Sequence, residues 1–167
     1  YPGREIAELY VNQIQPYYRA PHIFLGFPAR FFQKRGQMVE GLFMASRDGL
    51  TFNRWEEAYI RPGLNQDRWH NRSNYIWCGM LETRSTLPGA PPELSIFANE
   101  RYYKNNGGVT RRFACRVDGF TSMQATYKGG SFVTTPLVFK GNALHLNLST
   151  SVAGSMRVEI QDERGKA

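Results

Sequence analysis

Cleavage of a glycosidic bond needs two carboxyls about 5 to 9 Å apart, one of them with a raised pKa. Glu93, Glu100 and Asp118 are the carboxylates that a strand-based site could use in this way. Glu93 leads the strand-like run ELSIFANERYY (Glu93 to Tyr103) after a Pro-rich turn, a position that could face a central funnel. The plainer reading of each is a solvated or salt-bridged carboxylate. Asp118 and Asp48 each precede a glycine, and read more simply as turn formers whose side chains cap their own backbone.

Sugar binding asks less than catalysis. Flat aromatic faces meet the apolar side of a ring, while planar amides, carboxylates and guanidinium groups meet its hydroxyls. Asn12, Gln13, Tyr17 and His22 offer such groups near the first strand, and Trp69, Arg72, Asn74 and Tyr75 offer them in and just after the long irregular segment RPGLNQDRWHNRSN. Loops held by a rigid sheet are where such residues collect. Aromatics in a β protein are mostly core, so Tyr17 and Trp69 carry that reading too. His22 is a single histidine after a proline, which is a weak metal signal; no metal site and no cofactor is expected. His70 and His145 read as surface or strand residues. The chain has no Gly-x-Ser-x-Gly elbow, and its Gly-Gly pairs lie at hairpins rather than at helix N-termini.

These residues must be positioned by β-structure. In GLFMASRDGLTFNRW (Gly41 to Trp55), Phe43, Ala45 and Arg47 alternate with Met44, Ser46 and Asp48, the period of a pleated strand. Asp48-Gly49 then suits a tight hairpin turn. RRFACRVDGFT (Arg111 to Thr121) aligns with GLFMASRDGLT: Phe113 falls on Phe43, Cys115 on Ala45, Asp118-Gly119 on Asp48-Gly49 and Phe120 on Leu50. Two copies of an all-β unit of this length suggest propeller blades, each a four-stranded antiparallel sheet. Two unrelated Asp-Gly hairpins are the alternative.

Length and composition bound the rest. A chain of 167 residues can bury one domain, or one and a piece. No apolar run approaches the length of a membrane span, so no membrane partner is expected, and no leader pattern opens the chain. The start, YPGREIAELY, reads as cut from something longer. A formal charge of +7 invites nucleic acid, yet the arginines are dispersed and no nucleic-acid motif accompanies them. Cys78 and Cys115 read as two buried free thiols, a disulfide being the alternative, and the compartment stays open.

Tyr10 to Tyr18 and Ile23 to Phe32 read as the first strands, the second bent by Gly26 and Pro28. Tyr75 to Thr83, Glu93 to Tyr103, Val109 to Val117 and Thr121 to Tyr127 continue the pattern. From Lys128 the character changes, with strands expected at Ser131 to Val133, Leu137 to Phe139, Ala143 to Ser149 and Met156 to Gln161. The expectation is an all-β chain: a partial β-propeller of about two four-stranded antiparallel blades in residues 1–127, then β-sandwich-like strands in residues 128–167. Too few strands remain to close two sheets. The chain is therefore expected to be a fragment, or to take partner strands or blades from a second copy or another segment.

The segments NQIQPYYRAPHIFLGFPARF, LFMASRDGLTFNRWEEAYIRPG, ELSIFANERYY, RVDGF and TTPLVF with GNALHLNLSTSVAGSMRVEIQD resemble the C-terminal half of uncharacterised bacterial proteins related to glycoside hydrolase family 32. The resemblance implies late blades of a five-bladed propeller plus the first strands of a β-sandwich, in a protein acting on or binding glycans. The family's acidic motifs (Trp-x-Asn-Asp-Pro-like, Arg-Asp-Pro, Glu-Cys) do not occur. Gly49 follows Arg47-Asp48, and no glutamate precedes Cys78 or Cys115. No catalytic residue carries over. A non-catalytic carbohydrate-binding or scaffold module is the alternative, and a hydrolase of another class, such as an esterase, the second.

Overall fold

The computed structural model describes residues 8–69, 73–102 and 107–166. It is all-β. Among these residues run β1 (Glu8–Tyr10), β2 (Gln15–Tyr17), β3 (Ala20–Gly26), β4 (Ala29–Phe32), β5 (Met38–Ser46), β6 (Asn53–Ile60), β7 (Leu81–Thr83), β8 (Glu93–Glu100) and β9 (Val109–Arg116), with a single 3-10 turn at Gln66–Arg68. The chain forms two compact units, Tyr1–Ser122 and Met123–Ala167.

Strand β5, MVEGLFMAS, is the spine of the first sheet, and it is buried along nearly all its length on both faces. Its first half pairs with β4 (Phe31↔Val39) and its second half with β3 (Leu25↔Ala45), all antiparallel. Strands β3 and β4 are therefore two halves of one row, broken at Phe27-Pro28. Proline has no N–H to donate, but the ladder continues through its carbonyl, which accepts from the Leu42 N–H at 2.8 Å. The neighbouring row is broken likewise: β1 pairs with β4 and β2 with β3. Strand β6 lines the other edge of β5. Six strands thus make four antiparallel rows, curled into a half-barrel.

The single strand expected over Tyr10 to Tyr18 is interrupted because Val11 and Gln13 take φ of 32° and 47°, a conformation closed to a strand and costly for a β-branched residue. Between them the Asn12 carbonyl accepts from the Phe27 N–H at 2.8 Å, which pins this crossing to the break in the adjacent row.

The second sheet has the order β7-β8-β9. Its first row is again interrupted, with Ile76 bridging to Ala98 ahead of β7. Strands β8 and β9 pair along their whole length, from Glu93↔Arg116 to Glu100↔Val109. Thr121 to Tyr127, expected as a fourth row, forms none.

Between the sheets lies the core. Leu25, Phe27, Phe43 and Ile60 of the first sheet cluster with Ile76, Ile96 and Ala98 of the second. Burial of each large side chain stabilises by roughly 1.5–3 kcal/mol. Close approach requires Gly41, where a Cβ would lie 2.6 Å from Ile76 Cδ1.

In residues 123–166, every residue is exposed and the only pairing among them is the bridge Thr126↔Gly129. The runs at Ser131 to Val133, Leu137 to Phe139, Ala143 to Ser149 and Met156 to Gln161 carry no ladder. An extended run becomes a strand only when a neighbouring strand takes up its N–H and C=O groups in a ladder, and among the described residues no such ladder forms on these runs. Cys78 is exposed rather than buried; Cys115 is half-buried, and both thiols are free.

Candidate functional site

One side of β5 faces the second sheet; the other carries Met38, Glu40, Leu42 and Met44. On that outer side β4 sets Arg30 opposite Glu40, and β6 sets Arg54 opposite Met44. The result is a run of alternating charge. Arg30 donates to Glu40 Oε2 at 2.6 Å and, through Nη1, to the Glu56 carbonyl at 3.0 Å and its Oε2 at 3.5 Å; Arg54 donates to Glu56 Oε1 at 2.7 Å.

The run ends in an open cleft of about 580 Å³ lined by Leu9, Asn12, Ile14, Met44, Phe52, Arg54 and Glu56. Two strained residues flank Asn12 at its rim. Leu9, Ile14, Met44 and Phe52 supply apolar walls, while Asn12, Arg54 and Glu56 supply an amide, a donor fork and a carboxylate. Glu56 is held by two guanidinium groups, so its role here is to accept hydrogen bonds. Asn12 is among the candidates read from the sequence; Phe52, Arg54 and Glu56 are not, because only the pairing of β6 with β5 brings them beside it.

The remaining candidates scatter. Gln13 is half-buried next to the cleft and His22 is exposed on β3. Tyr17 is buried: its phenol donates to Asp118 Oδ1 at 2.6 Å, its ring packs edge-on against Phe120, and burial followed by that carboxylate pushes its pKa up. Arg19 Nε donates to the same oxygen at 3.2 Å, and the neighbouring Tyr18 phenol donates to Glu82 at 2.7 Å. Trp69 is exposed, its indole N–H donating to the Gly63 carbonyl at 2.9 Å. Asn74 is fully buried, its amide donating to the carbonyls of Val39 and Arg68 at 2.8 and 2.9 Å. Tyr75 packs against Ala29, Phe31 and Val39. Asn74 and Tyr75 therefore serve the core. Arg72 and His70 lie outside the described residues.

Glu93 and Glu100 sit at opposite ends of β8, on opposite faces, about 23 Å apart along the strand. That spacing cannot flank one scissile bond. Each is instead an ion-pair partner. Glu93 meets Arg112, whose Nε donates to the buried Ser95 hydroxyl at 2.7 Å. Glu100 is buried and accepts from Arg68 and, at 2.6 Å, from Arg111 Nε. Burial raises its pKa, but the two guanidinium groups outweigh that and hold it below the ordinary glutamate value.

Asp48 and Asp118 each follow the third row of a meander, yet their carboxylates do different things. Asp48 Oδ1 accepts from the N–H groups of Leu50 and Thr51 and from the Ser46 hydroxyl, which lowers its pKa to about 2. Gly49 takes φ of 73° in that turn, whereas in the second turn Asp118 itself takes φ of 61° and its carboxylate reaches across to Tyr17 and Arg19.

Among the described residues no three His, Cys, Asp or Glu side chains gather as a metal site, and no helix is long and apolar enough to cross a membrane. Comparison with models of protein families, with curated proteins and with solved structures yields no match for this chain.

Proposed function

We propose that the chain is a glycan-binding portion of a carbohydrate-active, glycoside-hydrolase-like protein, and that it binds saccharide in the cleft on the outer side of the first sheet. The observation that carries this reading is the convergence of Asn12, Arg54 and Glu56 with Phe52 in one open cleft. Hydroxyl pairs on a sugar ring need a donor and an acceptor side by side, which Arg54 and Glu56 provide at 2.7 Å from each other. Phe52, Ile14 and Met44 offer the apolar surface that a ring's C–H face takes. Binding without hydrolysis fits the separation of Glu93 from Glu100 and their arginine partners.

The reading of two propeller blades is supported by the repeat of the meander. Both sheets run antiparallel in chain order, both have an interrupted first row, and an Asp-Gly turn follows the third row of each. In this reading, further blades and the partner strands of residues 128–167 come from another segment or a second copy.

A glycan array, run beside a panel of chromogenic glycosides, tests the function. Binding to at least one glycan is expected, with Asn12→Ala, Phe52→Ala and Glu56→Gln each weakening it about tenfold, or about 1.4 kcal/mol. Trp69→Ala leaves it unchanged. Absence of glycan binding, or binding that survives all three cleft substitutions, would refute the proposal.

A further inference from the structure

One rung of the first sheet runs under the cleft. Gly26 of β3 stands opposite Met44 of β5, and Met44 stands opposite Arg54 of β6. On the far side of Gly26, the Asn12 carbonyl is held by the Phe27 N–H at 2.8 Å. Asn12, Met44 and Arg54 all line the cleft, and the residue between Asn12 and Met44 is the one without a side chain. Partners in register on neighbouring strands carry their Cβ atoms on the same face. A side chain at position 26 would therefore stand on the cleft side of the sheet.

That space is already taken. A Cβ built on Gly26 would lie 2.6 Å from Met44 Cε, 3.0 Å from Met44 Cγ and 3.2 Å from the Asn12 carbonyl oxygen. The Met44 thioether thus lies over the bare backbone of Gly26. Gly26 does not take the left-handed backbone that would itself call for glycine, so what the position requires is room for a close neighbour. Gly41 makes a like allowance on the opposite face, where its Cβ would meet Ile76 Cδ1 of the core at the same 2.6 Å. Methionine is unbranched and re-packs readily, so a methyl group at position 26 displaces the thioether rather than breaking the sheet. We propose that Gly26 is a positioning residue of the cleft: by carrying no side chain it seats Met44 as the apolar floor for a saccharide ring, beside Asn12. Its part in binding rests on the saccharide reading of the cleft; the seating of Met44 does not.

The seat is read first without ligand. The 167-residue chain and Gly26→Ala are labelled with methyl-13C methionine, the Met44 signal being assigned through Met44→Leu. The Met44 methyl and the Asn12 side-chain amide signals should move, while the Met38 and Met80 methyls hold. On the glycan array, Gly26→Ala should bind the parent's oligosaccharides at least about tenfold more weakly. In a Met44→Ala background, where no thioether lies over position 26, the same change should alter binding less than about twofold. Gly41→Ala should lower the urea midpoint and leave binding unchanged. An unmoved Met44 methyl overturns the proposal. So does full binding by Gly26→Ala when Asn12→Ala and Phe52→Ala lose it, an outcome that leaves the saccharide reading intact. An equal loss of binding in Gly41→Ala would trace the effect to a weakened sheet and also overturn it. A displaced methyl in a chain whose parent binds no glycan would sink the saccharide reading and, with it, the part of Gly26 in binding.

Discussion

The phenol of Tyr17 and the carboxylate of Asp118 meet at 2.6 Å although 101 positions separate them. Tyr17 closes the first row of one sheet and Asp118 forms the turn after the last row of the other. Their bond, with Phe120 packed against the Tyr17 ring and stacked on Phe43, is one join between the two meanders, added to the core that they share. A turn that looked self-contained in sequence is thus a tertiary contact.

Phe120→Ala removes a half-buried ring from this join, and a loss of about 2–3 kcal/mol is expected in denaturant unfolding, at the lower end for a Phe truncation. The aligned substitution Leu50→Ala, at an exposed position, should change stability by less than about 0.5 kcal/mol. Equal costs at the two sites would contradict the asymmetry described here.

Glu100→Gln leaves Arg68 and Arg111 facing a neutral amide. Breaking a fully buried pair costs about 3–5 kcal/mol; with Arg111 half-exposed, about 2–3 kcal/mol is expected. The folded-state pKa of Glu100 is depressed, so its contribution is fully present above the ordinary glutamate value and is lost as pH falls through the lower folded value. Thermal melts of the parent and the variant should converge on acidification through that window. A constant gap down to the onset of acid unfolding would show that the ion pair is not its source.

Gly41→Ala forces a Cβ to 2.6 Å from Ile76 Cδ1 and 3.3 Å from the Asn74 carbonyl, across the packed sheets. A destabilisation of about 1–3 kcal/mol follows from such overpacking. Gly26→Ala meets chiefly the mobile end of Met44, at the same 2.6 Å from Cε, and should be tolerated better. Urea midpoints of the two variants compare them directly.

The Asp48 carboxylate should titrate near pH 2 in an NMR pH series, since two backbone N–H groups and a hydroxyl favour its charged form. Its effect on stability is present above the unfolded carboxylate value and fades as pH falls towards about 2. A midpoint in the ordinary aspartate range would mean that the turn is open in solution.

Much of the first sheet was legible, and the reasons are local. The alternation through Phe43 to Ser46 and the Asp48-Gly49 turn specify a hairpin without help from distant residues. Gly26 and Pro28 announced a bent strand, which is the break between β3 and β4. What escaped reading depended on chain crossings. The unusual backbone at Val11 and Gln13 has no signature in residue type, and nothing in the aligned residues Phe120 and Leu50 tells that one is stacked on Phe43 and the other exposed. The alternating polar and apolar residues at Ala143 to Ser149 describe a surface able to join a sheet, but a strand also needs a neighbour. For the candidate site, Asn12 was recognisable from its chemistry; Arg54 and Glu56 became relevant only through the register of β6 on β5.

The long span between Tyr17 and Asp118 bears on the order of assembly. Rows β3 to β6 close through short connections, so their loop-closure entropy is small and they can condense early; the join at Phe120 must await the whole intervening chain. Weakening that join should therefore leave the refolding limb of a chevron plot nearly untouched and steepen the loss of the native state, with the first meander persisting as the kinetic nucleus.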